Sequence, residues 1–306
     1  MSHIIVGAGA TGIAIAHKLA EAGESVRLVT RSGSGPEHPL IKRVAADATK
    51  ADGLVEISSG ATTLINCAAP PYDRWLTAFP PLAAALLETA ERAGLDYVML
   101  GNIYGYGPVD GPLAPTQPLA PTAGKGQVRA QIWRDALDAH RAGRVHVTEV
   151  RASDFIGAGA LSAYTLLTAP AVLAGQPAVF PGDPDVAHSW SYVGDVAATL
   201  LAVARGDGWG RAWHVPSVST LSAQQLSKRL AEIAGSPAPR VVGLSAEQLR
   251  QAGQANPVLG EVAEMIYLFD RPLVLDASET EARFGVKPSP LDDVLREMDA
   301  NRIPTA

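Results

Sequence analysis

Lys125 and Arg129 lie four residues apart in the stretch PTAGKGQVRAQIW, a spacing that puts both side chains on one face of a helix. Two cations at that range disfavour each other's charge, and because a guanidinium stays protonated the lysine takes the downward shift. A lysine ordinarily near about 10.4 can then approach the range of roughly 7–8 that suits a general acid. The same pair also suits a grip on ribose, phosphate or a substrate anion, or a solvated basic helix start. A cation in a first helical turn opposes the helix dipole, which favours a purpose beyond helix stability. Just upstream, VMLGNIYGYGP supplies Asn102, whose amide can hydrogen-bond a carbonyl oxygen. It also supplies Tyr104 and Tyr106, rival proton donors whose commoner role is packing.

The amino-terminal residues supply a reaction for such a donor to serve. Gly7-Ala8-Gly9-Ala10-Thr11-Gly12 is a GxGxxG turn between an apolar run and an amphipathic one, the context in which that pattern binds a dinucleotide. Gly7 permits the tight turn, Gly9 the approach of a pyrophosphate, and Gly12 close packing of helix on strand. The helix start then offers free N–H groups to the phosphates. After the second apolar run stands Thr30-Arg31-Ser32, not the Asp or Glu that binds the ribose 2′-hydroxyl of NAD. No carboxylate repels a 2′-phosphate there and Arg31 can fork onto one, so NADP is expected ahead of NAD. Asp47 can accept from the adenine amino group or cap the helix that follows. Cys67, Ala68 and Ala69 are small enough to let a cofactor cross the sheet edge.

These residues need a scaffold. Residues 3–6, 25–30, 44–46, 62–67, 97–100 and 146–151 read as strands, and 13–22, 51–58, 81–93 and 126–142 as helices. The rhythm predicts an α/β fold of Rossmann type, a doubly wound parallel sheet with right-handed crossovers and helices on both faces. Residues 107–126 read as a long surface loop. After Arg151 the pattern weakens. It predicts a helix over 195–204 capped by Asp195 and a late strand over 211–215. Three later helices open with the capping-box spacings Ser222/Gln225, Ser245/Gln248 and Ser278/Glu281. A dinucleotide-binding domain is therefore expected over 1–158 and a smaller mixed substrate region over 159–306, with about 188–215 returning to the first.

The 306 residues carry a net charge of −6, which argues against a nucleic-acid partner. One cysteine fits a reducing compartment without a disulfide framework. Neither a charged leader followed by an apolar stretch nor an apolar run of the roughly 18 residues of a membrane helix is present. A cytoplasmic protein acting on a small molecule, without nucleic acid or membrane, is expected. The spacings of a metal site, a G-x-S-x-G hydrolase elbow and a kinase phosphate loop are lacking.

The order of these motifs resembles the short-chain dehydrogenase/reductase superfamily, in its extended or atypical NAD(P)-dependent epimerase/dehydratase-like branch. GAGATG is similar to that family's cofactor turn, and INCAAPP (65–71) to the end of its fourth strand. LGNIYGYGP (100–108) is similar to its active-site strand and loop, VRASDFIGAG (150–159) to the lead into its substrate region, and HSWSYVGDVA (188–197) to the returning segment. The resemblance covers most of the chain. It implies hydride transfer between nicotinamide C4 and a carbonyl or secondary-alcohol carbon, as a net reduction or as the start of epimerisation or dehydration. Members of that family often form a homodimer through the helices that here stand at 81–93 and 126–142, and the Ala-rich face LAAALLETA suits such close packing or packing on the sheet equally.

The family's catalytic pattern is a Ser with Tyr-x-x-x-Lys; the resemblance puts Asn102 at the Ser position, Lys125 at the Tyr and Arg129 at the Lys. Lys125 can thus transfer the proton or anchor the cofactor. On the substrate side stand Tyr72, Arg74 and Trp75, then Asp154 and Phe155, and His188 and Trp190. With the usual residues replaced, two other readings stay open: a non-catalytic NADP(H)-binding redox sensor or regulator, and a pocket used for non-redox isomerisation.

Overall fold

Seven short segments pair as parallel strands in the computed structural model, which describes residues 2–301. They are β1 (Ser2–Val6), β2 (Ser25–Thr30), β3 (Ile41–Ala45), β4 (Thr63–Asn66), β5 (Asp96–Asn102), β6 (Val147–Ala152) and β10 (Ala212–His214). Their order is β10-β6-β5-β4-β1-β2-β3. The chain runs outward from β1 to β3 and then returns to β4 on the other side of β1, so the crevice between β1 and β4 is the switch point where such sheets bind ligands.

Alternate residues face opposite helical layers. Ile4, Leu64 and Tyr97 pack with α2 (Ala51–Ile57), α3 (Trp75–Ala93) and α4 (Gly124–Arg141). Ile5, Ile65 and Val98 pack with α1 (Ala10–Glu21) and α6 (Val193–Arg205). Burial on both faces is why these strands read as continuous apolar runs.

The remaining elements form a third apolar cluster around Tyr164, Phe180, Trp190, Leu226 and Leu230. It gathers two parallel strand pairs, β7 (Asp154–Ile156) with β9 (Trp190–Tyr192) and β8 (Ala178–Pro181) with β11 (Val241–Leu244). Around them lie α5 (Ala169–Leu173), α7 (Ala223–Ala234), α8 (Ala246–Ala252), α9 (Pro257–Glu264) and α11 (Leu291–Ala300), while α10 (Ser278–Phe284) packs back on the sheet side, with Phe284 against Trp213 of β10.

Several boundaries differ from the sequence expectation for identifiable reasons. β3 starts at Ile41, because Lys42 and Arg43 are exposed on an edge strand and hide its pattern. α3 starts at Trp75, with Pro80 and Pro81 inside it; buried Trp75 and Phe79 carry the helix through positions where two backbone donors are missing. Residues 107–123 are not simply a surface loop. Leu113 is buried, its N–H donates to Val274 O (2.8 Å), and its carbonyl accepts from Asp276 N (2.8 Å).

Asp195 does not cap α6. It lies in the first turn, where its carboxylate accepts from Ser289 N (2.8 Å) and Ser289 Oγ (2.7 Å). Burial pushes its carboxyl up, against the pull of those bonds. Ser222 and Ser245 close their capping boxes, but Ser278 does not; Asp276 Oδ1 accepts from Ser278 N (2.9 Å) instead, so Asp276 serves the start of α10.

His214 gives the fold a pH signature. It is fully buried on β10, with Nδ1 3.1 Å from Asp276 O and Nε2 2.8 Å from the Tyr106 hydroxyl. Burial, reinforced by nearby Arg151, lowers its pKa to about 4. The unfolded chain takes up this proton near about 6.5, before the folded one does, so stability falls as pH drops through that window. Urea unfolding at about pH 7 and about pH 5 should show a loss for the native chain that exceeds the loss for His214→Gln by on the order of 1–2 kcal/mol. Equal losses would contradict this assignment.

Candidate active site

The glycine turn has the shape of a phosphate cradle. Gly7 holds a φ of +103°, and a Cβ there would lie 2.8 Å from Ala68 N. A Cβ on Gly12 would lie 2.0 Å from Gly7 O, whereas one on Gly9 would meet nothing within 4 Å. The first two glycines named are thus forced by packing, and Gly9 faces open space where a ligand backbone can approach. No side chain caps α1 at Gly9 and its first turn holds no acid, so N–H groups at Ala10, Thr11 and Gly12 are left for an anion. These residues fit a dinucleotide pyrophosphate.

At the end of β2, Thr30 Oγ1 donates to Ser34 O (3.2 Å) and Ser32 Oγ to Ser34 Oγ (3.0 Å). Arg31 is exposed and, among the described residues, makes no hydrogen bond or ion pair. Asp47 does not cap α2, whose cap position is Lys50. Its Oδ1 instead accepts from Thr49 N (3.0 Å) and Thr49 Oγ1 (2.7 Å), bonds that hold its carboxyl below the usual range. Asn66 Oδ1 fixes the next strand end by accepting from Ala68 N (3.0 Å). Burial pushes the Cys67 thiol up to about 12, which makes it a small wall of the crevice rather than a nucleophile.

Beyond β5 the structure brings several candidates together. Asn102 Oδ1 accepts from Tyr104 N (3.2 Å), and Nδ2 makes no hydrogen bond among the described residues. The Tyr104 hydroxyl is 3.4 Å from that of Tyr72. Trp75 stacks edge-on with Tyr72 (5.2 Å between centroids) and donates to Pro70 O (3.1 Å). Lys125 Nζ lies 4.8 Å from the Tyr72 ring centroid. Burial raises the phenols of both Tyr72 and Tyr104, and Asp154 raises both further.

The expected repulsion between Lys125 and Arg129 is not the dominant electrostatic contact of either, because each has its own acids. Lys125 Nζ donates to Glu261 and, at 3.0 Å, to Glu264, both on α9. Arg129 Nη2 donates to Leu100 O (2.9 Å) and Glu149 Oε1 (3.2 Å), and burial lowers its pKa.

Other candidates fall elsewhere. Tyr106 is buried against His214 and Arg151 and does not join the Tyr72–Tyr104 pair. Trp190 is fully buried, donates to Leu221 O (2.8 Å) and stacks on Tyr164, so it is core rather than a substrate wall. His188 is buried too, with Nε2 2.6 Å from Asp154 Oδ2 and its ring stacked on Phe269. Phe155 packs into the α1–α6 side of the sheet. Arg74 is exposed.

Sequence reasoning missed Glu261, Glu264 and Tyr267, whose hydroxyl donates to Tyr104 O (3.3 Å). The start signal was present: Asn256 Oδ1 accepts from Val258 N (3.2 Å) and Pro257 opens α9. Among the described residues no cluster of acids, His and Cys is placed to hold a metal, and no helix is long and apolar enough to cross a membrane.

A glycine turn that opens a helix at the switch point of a parallel sheet defines a Rossmann-type nicotinamide enzyme. The chain belongs to the NAD dependent epimerase/dehydratase family, whose sequence profile matches residues 4–215. No curated protein matches the sequence. Similar solved structures include a double mutant of DesIV, a dTDP-glucose 4,6-dehydratase from Streptomyces venezuelae holding NAD (TM-score 0.79, 19% identity, 98% of this chain and 96% of that one). Another is the UDP-glucuronic acid 4-epimerase of Bacillus cereus in complex with NAD (TM-score 0.80, 16% identity, 98% of each chain). A third is the UDP-glucose 4-epimerase of Thermotoga maritima with UDP-glucose (TM-score 0.79, 19% identity, 98% of each chain). The fold and the superfamily expected from motif order are borne out.

Proposed function

We propose that the protein is an NADP-dependent oxidoreductase, or an epimerase or dehydratase that begins with the same half-reaction, acting on a carbonyl or secondary alcohol of a small molecule. The observation that carries this reading is Asn102. Its oxygen is tied to the backbone of Tyr104, and its Nδ2 donor makes no hydrogen bond among the described residues, which leaves it for a substrate oxygen. Bound nicotinamide supplies or accepts the hydride. Asn102 Nδ2 orients the substrate oxygen and stabilises charge on it. Lys125 holds the proton that this oxygen gains or loses, the oxygen taking one of the two glutamate positions on Nζ. Arg129, held between Leu100 O and Glu149, fixes the face of α4 that presents Lys125. Trp75, Tyr72, Arg74 and Asp154 are the residues we assign to the substrate side. The lone cysteine supports a reducing, cytoplasmic setting.

Reduction of a panel of aldehydes and ketones, followed by nicotinamide absorbance, tests the reading. Turnover of at least one member is expected. Saturable NADPH binding with no turnover across a broad panel would instead support a binding-only regulator, a reading favoured by the near-complete enclosure of Lys125.

The preference for NADP rests on Arg31, which is exposed and makes no hydrogen bond or ion pair among the described residues. Arg31→Asp is expected to weaken NADPH binding on the order of 10- to 100-fold, the value of a charge-assisted pair, while sparing NADH. Equal weakening of both cofactors, or of neither, would remove Arg31 as the selector.

A further inference from the structure

We propose that Glu261 and Glu264 are positioning residues that hold the Lys125 ammonium in place and carry its proton between the buried site and solvent. The proposal rests on Lys125 being the proton donor. The Lys125 side chain is 1% exposed, whereas those of Glu261 and Glu264 are 34% and 32% exposed. Among the described residues Nζ donates hydrogen bonds to these two carboxylates alone. An ammonium this enclosed exchanges its proton most directly through its hydrogen-bond partners, and both partners here reach solvent.

The placement follows from α9. Glu261 and Glu264 are three residues apart and share one helix face. Glu264 also accepts from Gly124 N, the first residue of α4, so one side chain holds both the backbone and the side chain of the lysine's turn. A Cβ on Gly253 would lie 2.7 Å from Gly260 Cα, so the two glycines let α8 and α9 cross closely enough to hold this position. The other titratable groups around the cluster are Tyr72, Tyr104 and Tyr267, all raised by burial, and Asp154 with its partner His188. None of the three phenols is a stronger acid than usual, which leaves the glutamates as the carriers.

The balance is simple. In the reducing direction the carbonyl carbon gains the hydride, an N–H bond of Lys125 breaks and the O–H bond of the alcohol forms. The neutral amine then takes a proton from the carboxyl group of Glu261 or Glu264. That group had taken its own proton from solvent, and its carboxylate is restored. Oxidation runs the same steps backwards.

The test uses the full chain, NADPH and the fastest-reduced compound of the carbonyl panel. Glu261→Gln/Glu264→Gln keeps shape and hydrogen bonding but cannot carry a proton. It is expected to lower kcat on the order of 100-fold, leave KM for NADPH unchanged, and shift the alkaline limb of the pH profile downward. Glu261→Gln alone, which spares the contact to Gly124, should lose about 10-fold if the double variant does not fold. Added formate should restore part of kcat to Glu261→Ala, a response that a merely structural role does not give. Wild-type kcat and pH profile in the double variant, while Lys125→Met is inactive, would overturn the relay alone. Full turnover in Lys125→Met would remove the proton donor and the relay with it.

Discussion

Lys125→Met is expected to lower kcat by on the order of 10²- to 10⁴-fold, the usual contribution of a positioned general acid, while NADPH still binds. The sites are separable because the phosphate cradle belongs to the first turn of α1, while Lys125 sits in the first turn of α4 and touches Tyr72, Glu261 and Glu264. Methionine has a similar length and no proton, so it keeps the packing against the Tyr72 ring. It also leaves two carboxylates without their cation, which should loosen α9. Lys125→Arg keeps the charge but binds its proton too tightly to release it, so it should keep α9 closed and still lose turnover. Steady-state kinetics and amide exchange over residues 257–264 separate these effects. Full turnover in Lys125→Met with bound cofactor would exclude the lysine as the acid.

Glu149→Gln should cost about 3–5 kcal/mol of stability, because it removes a carboxylate shared by two buried guanidiniums. Glu149, Arg129 and Arg151 are 2%, 6% and 3% exposed. Glu149 Oε1 accepts from Arg129 Nη2 (3.2 Å) and Oε2 from Arg151 Nε (2.6 Å). Burial works against the charge on Arg129 and lowers its pKa. Burial opposes the Arg151 charge as well, but Glu149 and Tyr106 outweigh it and raise that pKa. Without the carboxylate the two cations face each other out of water. The fold makes room for this triad: a Cβ on Gly101 would lie 2.5 Å from Glu149 Oε1. Since Asn102 pairs with Ala152 in the same β5–β6 ladder, the loss should also disturb the site. Urea unfolding measures the cost, and a change below about 1 kcal/mol would show that the arginines find other partners.

The parallel sheet was legible because strands buried on both faces leave unbroken apolar runs, and helices between them leave a different period. The cofactor turn was legible because packing forces glycine at Gly7 and Gly12 whatever the ligand. Other parts were written in signals that act over distance. Lys42 and Arg43 obscured an edge strand whose register only β2 defines. Lys125 and Arg129 read as a repelling pair because their spacing is local, whereas the acids that separate them lie on β6 and α9, the latter more than a hundred residues away. Tyr106 and Trp190 have the composition of site residues. Only the packing of His214 and Tyr164 against them shows that they are core.

The central claim is that the turn at Gly7 to Gly12 holds a nicotinamide dinucleotide whose reactive end reaches Asn102 and Lys125. Equilibrium titration with NADPH and with NADH, read by nicotinamide fluorescence, tests it most directly. Saturable binding by the native chain, tighter for NADPH and abolished by Gly12→Val, is the predicted result. If the native chain associated with neither nucleotide, the claim would be contradicted.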